Sequence, residues 1–284
     1  MPSSLNYGSS EGNHFLKKYA VVADVSPSEQ ITGNPDALKT MGLVIGLRYY
    51  DSFERVGRKF DVKDQQLTLK KWSGSSEKYK CKFVEHLSAV VANGNIMCGV
   101  NVANERVVLG GGAVMFQTLA GTFPEPSSIS KSGREMIMLG GYRVDGQEVQ
   151  PFEVSKDDLC VMGWMVDAFS SLLKSLEEIN EEKVHLDVLV DRLPNEKGGD
   201  NYHKATFLKD LLKKATFGRA ELKGVPDPKI QVQRDLFVDN LAGLAAEAQK
   251  KPGSKAAKLL SEKSPSPIQV HRVATDWPPK AANS

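Results

Sequence analysis

The apolar residues of this chain change period partway along it, and that change limits the possible folds more than any other feature. Tyr19-Ala-Val-Val-Ala-Asp24 is a β-rich run closed by Ser26-Pro27. Leu43 to Tyr50 forms a second run after a polar stretch containing Gly33, Asn34 and Pro35. Short apolar runs bounded by turn residues predict strands. Phe53 to Phe60 and Gln65 to Trp72 supply one or two more, joined by the polar turn Asp61 to Asp64. The period then becomes helical. Phe83, Leu87, Val90 and Val91 recur at helical spacing between Glu77 and Asn93, and Asn93-Gly94 provides the stop.

From there helices and strands alternate. Asn95 to Ala103 returns to strand, and Gly110 to Thr122 predicts a short helix after a glycine turn. Residues 123–156 are rich in Pro, Ser and Gly and form an insertion with a hairpin over Met136 to Val149. Asp157 to Asn180 predicts the longest helix, with acids in its first turn where the helix dipole favours them. Lys183 to Asp191 is a strand, Asn201 to Ala215 a helix, Lys229 to Gln233 a short strand and Asp235 to Gln249 the last long helix. The order predicts an α/β fold, an antiparallel strand meander followed by alternating helices and strands in a mixed sheet. The expected organisation is a flexible leader (1–14), one α/β domain (15–250) and a flexible Lys/Pro/Ser-rich tail (251–284) with a short helix around Ala256 to Leu260.

Charge and cysteines exclude several function classes. Lys and Arg number 37 against 35 Asp and Glu, so any surface for a polyanion is local. The basic clusters are Lys204, Lys209, Lys213, Lys214, Arg219 and Lys223, and Lys250 to Lys263. Interleaved Asp210, Glu221 and Glu262 make a solvated face the simpler reading of them. Cys81, Cys98 and Cys160 lie far apart with no CxxC pair, which supports neither a zinc site nor a disulfide framework. The five histidines show no metal spacing, and Gly110-Gly-Gly112 lacks the lysine of a phosphate loop. Met1 to Gly12 has no apolar core of a signal peptide, and no window reaches the ~18 apolar residues of a membrane span. A cytoplasmic protein with no membrane partner is the expectation.

Chemistry, if present, lies in the carboxylates. Asp24 closes the first strand. Asp187 and Asp191 are four apart on one strand and share a face. Asp235 and Asp239 are four apart on one helix and also share a face. Acids converging from three elements would repel unless protonated or bridged by a hard divalent cation such as Mg²⁺ or Mn²⁺, which prefers oxygen ligands. Asp24, Asp187, Asp191, Asp235 and Asp239 are therefore the metal-ligand candidates. Each has a plainer alternative: Asp24 as a turn cap, Asp191 as a partner of Arg192, and Asp235 as a helix cap. Gly243, one turn after Asp239, costs about 1 kcal/mol in a helix, which close packing against a strand would offset.

Three short segments carry a resemblance. Val22-Ala-Asp24-Val-Ser26, Val188-Leu-Val-Asp191-Arg192 and Val238-Asp239-Asn-Leu-Ala-Gly243 resemble the opening strand, central strand and closing helix of the DUF3800 family, thought to have a ribonuclease H-like fold. The resemblance covers roughly residues 19–247. It implies a ribonuclease H-like nuclease that hydrolyses phosphodiesters with Mg²⁺ or Mn²⁺, with Asp24, Asp191 and Asp239 as catalytic residues, in phage, mobile-element or defence biology. Val25 and Pro27 depart from it, standing where the family commonly has Glu and Gly. The alternatives are a non-catalytic binding or structural protein on the same fold, holding a protein partner through its C-terminal tail, and an α/β enzyme for a small phosphorylated substrate.

Overall fold

Strand β1 (Lys17–Ser26) is the centre of the architecture, and its sequence explains why. Its residues from Tyr19 to Val25 are buried on both faces, so the run is apolar nearly throughout instead of alternating. In the computed structural model, which describes residues 17–26, 31–46, 67–92, 96–144, 146–190, 201–224, 233–263 and 270–272, β1 pairs antiparallel with β2 (Leu38–Gly46). Strand β2 pairs antiparallel with β3 (Ile96–Asn104). On its other side β1 pairs parallel with β9 (Val184–Val190), and β9 pairs parallel with the edge strand β10 (Ala220–Gly224). A short β11 (Val270–Arg272) adds parallel to β3. The order β10-β9-β1-β2-β3-β11 makes one mixed six-stranded sheet. Antiparallel pairing of the early strands and helix–strand alternation are both present, but β3 follows the first helix, and the expected strand over residues 53–60 lies outside the described residues.

Helices cover both faces. On one lie α1 (Glu77–Ala92), α5 (Gln233–Lys250) and α6 (Lys255–Lys263), packed on Ala20, Val22, Val44, Val100 and Leu189. On the other lie α2 (Glu105–Ala120), α3 (Lys156–Asn180) and α4 (Asn201–Ala215), packed on Tyr19, Val21, Ala23, Met41, Leu43, Leu186 and Val188. The alternation of residue numbers between these cores is the period-two signature of the strands. Between α2 and α3 lie two small antiparallel sheets. One joins β4 (Ser128–Ile129), β5 (Glu135–Leu139) and β8 (Phe152–Ser155), and the other is the hairpin β6 (Tyr142–Val144) and β7 (Gln147–Val149). The insertion is therefore structured, and its hairpin is narrower than the sequence suggests.

Three expectations are corrected. Residues 67–72 form no strand; they run as coil into α1, with Leu69 and Trp72 buried. Helix α2 begins at Glu105, not after the glycines, because Asn104 caps it by accepting the Val107 N–H. It then runs straight through Gly110-Gly-Gly112. Among the described residues a strand not expected from the sequence, Ala220–Gly224, precedes α5; residues 229–232 of the expected Lys229 to Gln233 strand lie outside the described residues, and Gln233 begins α5. Part of the expected flexible tail belongs to the core: α6 packs on α1, Ala256, Ala257 and Leu260 are buried, and the Ala256 N–H donates to Glu77 Oε1 at 3.2 Å. In addition, α3 is long and apolar enough to cross a membrane, contrary to the expectation from sequence. It is mostly buried inside the fold, as the core helix of a globular domain is.

Two glycines set how closely helices sit. On β2, a Cβ at Gly42 would stand 2.9 Å from both the Val238 carbonyl oxygen and the Ala242 nitrogen of α5. Between α2 and α3, a Cβ at Gly112 would stand 1.8 Å from the Cys160 carbonyl oxygen. Gly243 does a different job from the one expected: its missing Cβ accommodates the Trp72 indole, not a strand.

Candidate functional site

The face of the sheet under α5 carries the acids. Asp24 belongs to the even-numbered residues of β1 that point to this side, near the carboxyl end of the strand, and is 6% exposed. Its Oδ1 accepts the Val25 N–H at 2.8 Å. Val25 itself points to the opposite core. The cross-strand partner of Asp24 is Gly42, the residue on which α5 rests its Val238–Ala242 turn. That turn carries Asp239, so the fold lays the helical acid's turn over the Asp24–Gly42 pair. Strand β9 ends at Val190, paired with Ala23. Asp191, the next residue in the sequence, lies outside the described residues, as does the side chain of Asp235 in the first turn of α5.

Asp239 has a second engagement that sequence could not show. Its Oδ2 accepts the Trp72 N–H at 3.1 Å. Next to it, Asn240 donates through Nδ2 to the Lys70 carbonyl at 2.7 Å and to the Leu236 carbonyl at 2.6 Å. The Trp72 ring fills the notch at Gly243, and its indole N–H donates to Glu247 Oε2 at 3.2 Å. Lys80 bonds the same carboxylate at 2.5 Å and lies 5.0 Å from the indole centroid. One side of α5 thus pins down the segment leading into α1.

Asp187 is not brought to this group. In the β1–β9 register it stands opposite Ala20, four residues from Asp24, or about 13 Å along the strand. It belongs to a separate cluster. Asp187 pairs across to Glu221 on β10, and His185 lies two residues before it on the same face of β9. One ligand atom from each of His185, Asp187 and Glu221 lies within 4.8 Å of the others. Lys223 stands beside them, with Nζ 2.7 Å from Glu221 Oε2 and 3.4 Å from Asp187 Oδ1. Burial pushes the Asp187 carboxyl up, but His185 and the Lys223 ammonium outweigh it and hold it below the ordinary aspartate range. Burial likewise raises Glu221, and Lys223 and Lys209 more than reverse it. The missed signal was the His-x-Asp step, which on a strand puts both side chains on one face.

Most of the basic cluster is engaged. Lys214 pairs with Asp210 at 2.7 Å, Lys209 with Glu221 at 3.7 Å, and Arg219 with Glu177, while Lys204 is buried. No family model, curated protein or solved structure matches the chain.

The Gly42 contact yields a direct expectation. Gly42→Ala places a methyl group against α5 backbone, which cannot turn aside as a side chain can. The variant is expected to lose about 1–3 kcal/mol of stability, measured as a lower urea midpoint. An unchanged midpoint would show that α5 does not rest on this strand.

Proposed function

We propose that the sheet is ribonuclease H-like and that the chain is a metal-dependent phosphodiesterase acting on nucleic acid, with its centre at the carboxyl end of β1. The observation that carries this reading is the position of Asp24. It is a buried acid on the central strand, at the end where the chain order reverses between β1 and β9, and the turn of α5 bearing Asp239 is packed over its partner Gly42. Open α/β sheets bind their ligands outside the carboxyl ends of strands at such a reversal. Asp191 follows β9 directly in sequence and is the third acid in the proposal.

The donor set suits the proposed ion. Carboxylate oxygens are the ligands that Mg²⁺ and Mn²⁺ prefer, and the residues that would hold the ion are Asp24, Asp191 and Asp239. When bound, such an ion polarises a phosphoryl oxygen and lowers the pKa of a bound water. The chain's own contribution is positioning. The sheet fixes Asp24 through its ladder, the Val25 N–H orients one oxygen of its carboxylate, and the Gly42 contact fixes the height of α5.

A second reading has its own observation. The Asp239 bond to the Trp72 N–H gives that acid a structural role, which is what a non-catalytic protein on this sheet requires. Asparagine at 239 separates the two, because its amide oxygen still accepts the Trp72 N–H while its ability to ligate is weakened. Single-stranded DNA, duplex DNA, RNA and hybrid substrates, each with Mn²⁺, form the assay. The proposal expects cleavage that falls about 100-fold or more, ~2.7 kcal/mol of barrier, in both Asp24→Asn and Asp239→Asn, with Asp239→Asn keeping the wild-type Tm. Wild-type rates in both variants, or no cleavage of any substrate by the wild-type chain, would overturn it.

A further inference from the structure

We propose that His185, Asp187 and Glu221 form a second cation site, for a divalent transition ion such as Zn²⁺, which clamps the edge strand β10 to β9. The site is independent of the Asp24 centre and does not rest on the phosphodiesterase reading. Two features carry it. The first is the placement of the donors: an imidazole and two carboxylates project from one face of two hydrogen-bonded strands, with Asp187 and Glu221 in direct register. The second is the state of Asp187. It is 2% exposed, yet among the described residues neither of its carboxylate oxygens receives a hydrogen bond.

A buried carboxylate in that condition calls for a partner, because burying an unsatisfied charge is costly. The neighbours present offset its charge electrostatically, but neither makes a close hydrogen bond to it. His185 Nε2 and Lys223 Nζ each stand 3.4 Å from Oδ1, beyond a good hydrogen bond, and Lys223 spends its close contact on Glu221. Lys223 and Lys209 balance the two carboxylates in charge, but both lysines lie toward Glu221, away from a close bond to Asp187. Lys209 approaches Glu221 only at 3.7 Å.

The chemistry of the donors selects the ion. An imidazole nitrogen beside two carboxylates suits Zn²⁺, which favours mixed nitrogen and oxygen donors over the all-oxygen shells of Mg²⁺. Tetrahedral bonds of about 2.1 Å place donors about 3.4 Å apart. The present separation, up to 4.8 Å, closes by side-chain rotation on a fixed backbone. Three protein donors leave the fourth position for water. Lys223 is the displaceable group: its side chain is 28% exposed, and its long flexible stem can carry the ammonium into solvent when the ion enters.

Titration calorimetry of the full chain with ZnCl₂ at neutral pH tests this. One ion per chain is expected. His185→Gln and Glu221→Gln should each weaken binding at least tenfold. Lys223→Gln, which removes the competing charge from a partly exposed position, should tighten it about tenfold, and Asp24→Asn should leave it unchanged. The proposal is overturned if Zn²⁺ does not bind, if it binds equally well to His185→Gln, or if Lys223→Gln fails to tighten it. The last result would show that the lysine does not occupy the cation's place. Since Lys223→Gln leaves the buried Asp187 in position, the test does not depend on the ligand variants folding.

Discussion

Gly112→Ala is expected to be among the most damaging single-methyl additions to this protein, costing about 3 kcal/mol or more, with chemical denaturation as the measurement. The added Cβ would stand 1.8 Å from the Cys160 carbonyl oxygen and 2.6 Å from its carbon, and a Cβ at the facing Gly163 would stand 2.3 Å from the Gly112 oxygen. Helices α2 and α3 therefore meet backbone against backbone, and no rotamer change can make room. Dispersion across such a crossing is large because so many atoms are in contact, and parting the helices forfeits it. The two glycines before it supply the control. A methyl group added at Gly110 or Gly111 would meet nothing within 4 Å, and both residues sit inside the helix. Alanine there should stabilise by roughly 0.5–1 kcal/mol each, through helix propensity alone. Three adjacent glycines should thus respond with opposite signs. A mild effect at Gly112 would mean that the two helices can part at little cost.

Glu105→Ala should destabilise by about 3 kcal/mol or more, the range for breaking a buried ion pair from one side. Glu105 is 1% exposed and lies 3.3 Å from Lys39, also 1% exposed, while the Thr32 and Gly33 N–H groups donate to its two oxygens at 2.8 and 3.0 Å. One side chain thus holds the turn before β2, the start of α2 and a buried lysine. Its titration gives a further check. Burial raises the Glu105 carboxyl, but the Thr32 bonds and Lys39 outweigh burial and hold it below the ordinary value of 4.5. A depressed folded value contributes stability that is present above the unfolded value and lost as pH falls through the folded one. Wild-type stability should therefore decline below about pH 4.5 more steeply than that of Glu105→Ala. Parallel declines would show that this carboxylate is not held ionised by its neighbours.

The elements legible in the sequence are those whose burial, on one face or on both, repeats regularly along their whole length. Strand β1, buried on both faces, reads as a continuous apolar run; α3 and α4 read from their stripes, and the α4 bounds agree residue for residue. The rest depends on tertiary context. Ala220 to Gly224 carries Glu221 and Lys223, so it does not look like a strand until its pairing with β9 is known. Three glycines in a row argue against a helix by propensity, and only the backbone contact with α3 explains one of them. At the candidate sites, the pattern of the sequence put Asp24 near the end of the first strand, Asp187 on a later strand and Asp239 on the last long helix, where they lie. It could not give the register, and the register separates Asp187 from Asp24. His185 was passed over for the same reason, since its significance lies in a neighbour on another strand.

The seat of Trp72 has an optical consequence. Trp72 lies buried in the core under α5, and Trp164 lies buried in the core beneath α3 on the other side of the sheet. Each layer therefore carries its own indole, with Trp277 outside the described residues. With Trp164 and Trp277 both replaced by phenylalanine, the remaining emission comes from a ring enclosed by Gly243, Glu247 and Lys80. Its wavelength and quenching then follow the docking of the helix that carries Asp239, while the mirror variant follows the opposite layer. The two halves of the fold can be watched separately in the same chain, without an attached dye.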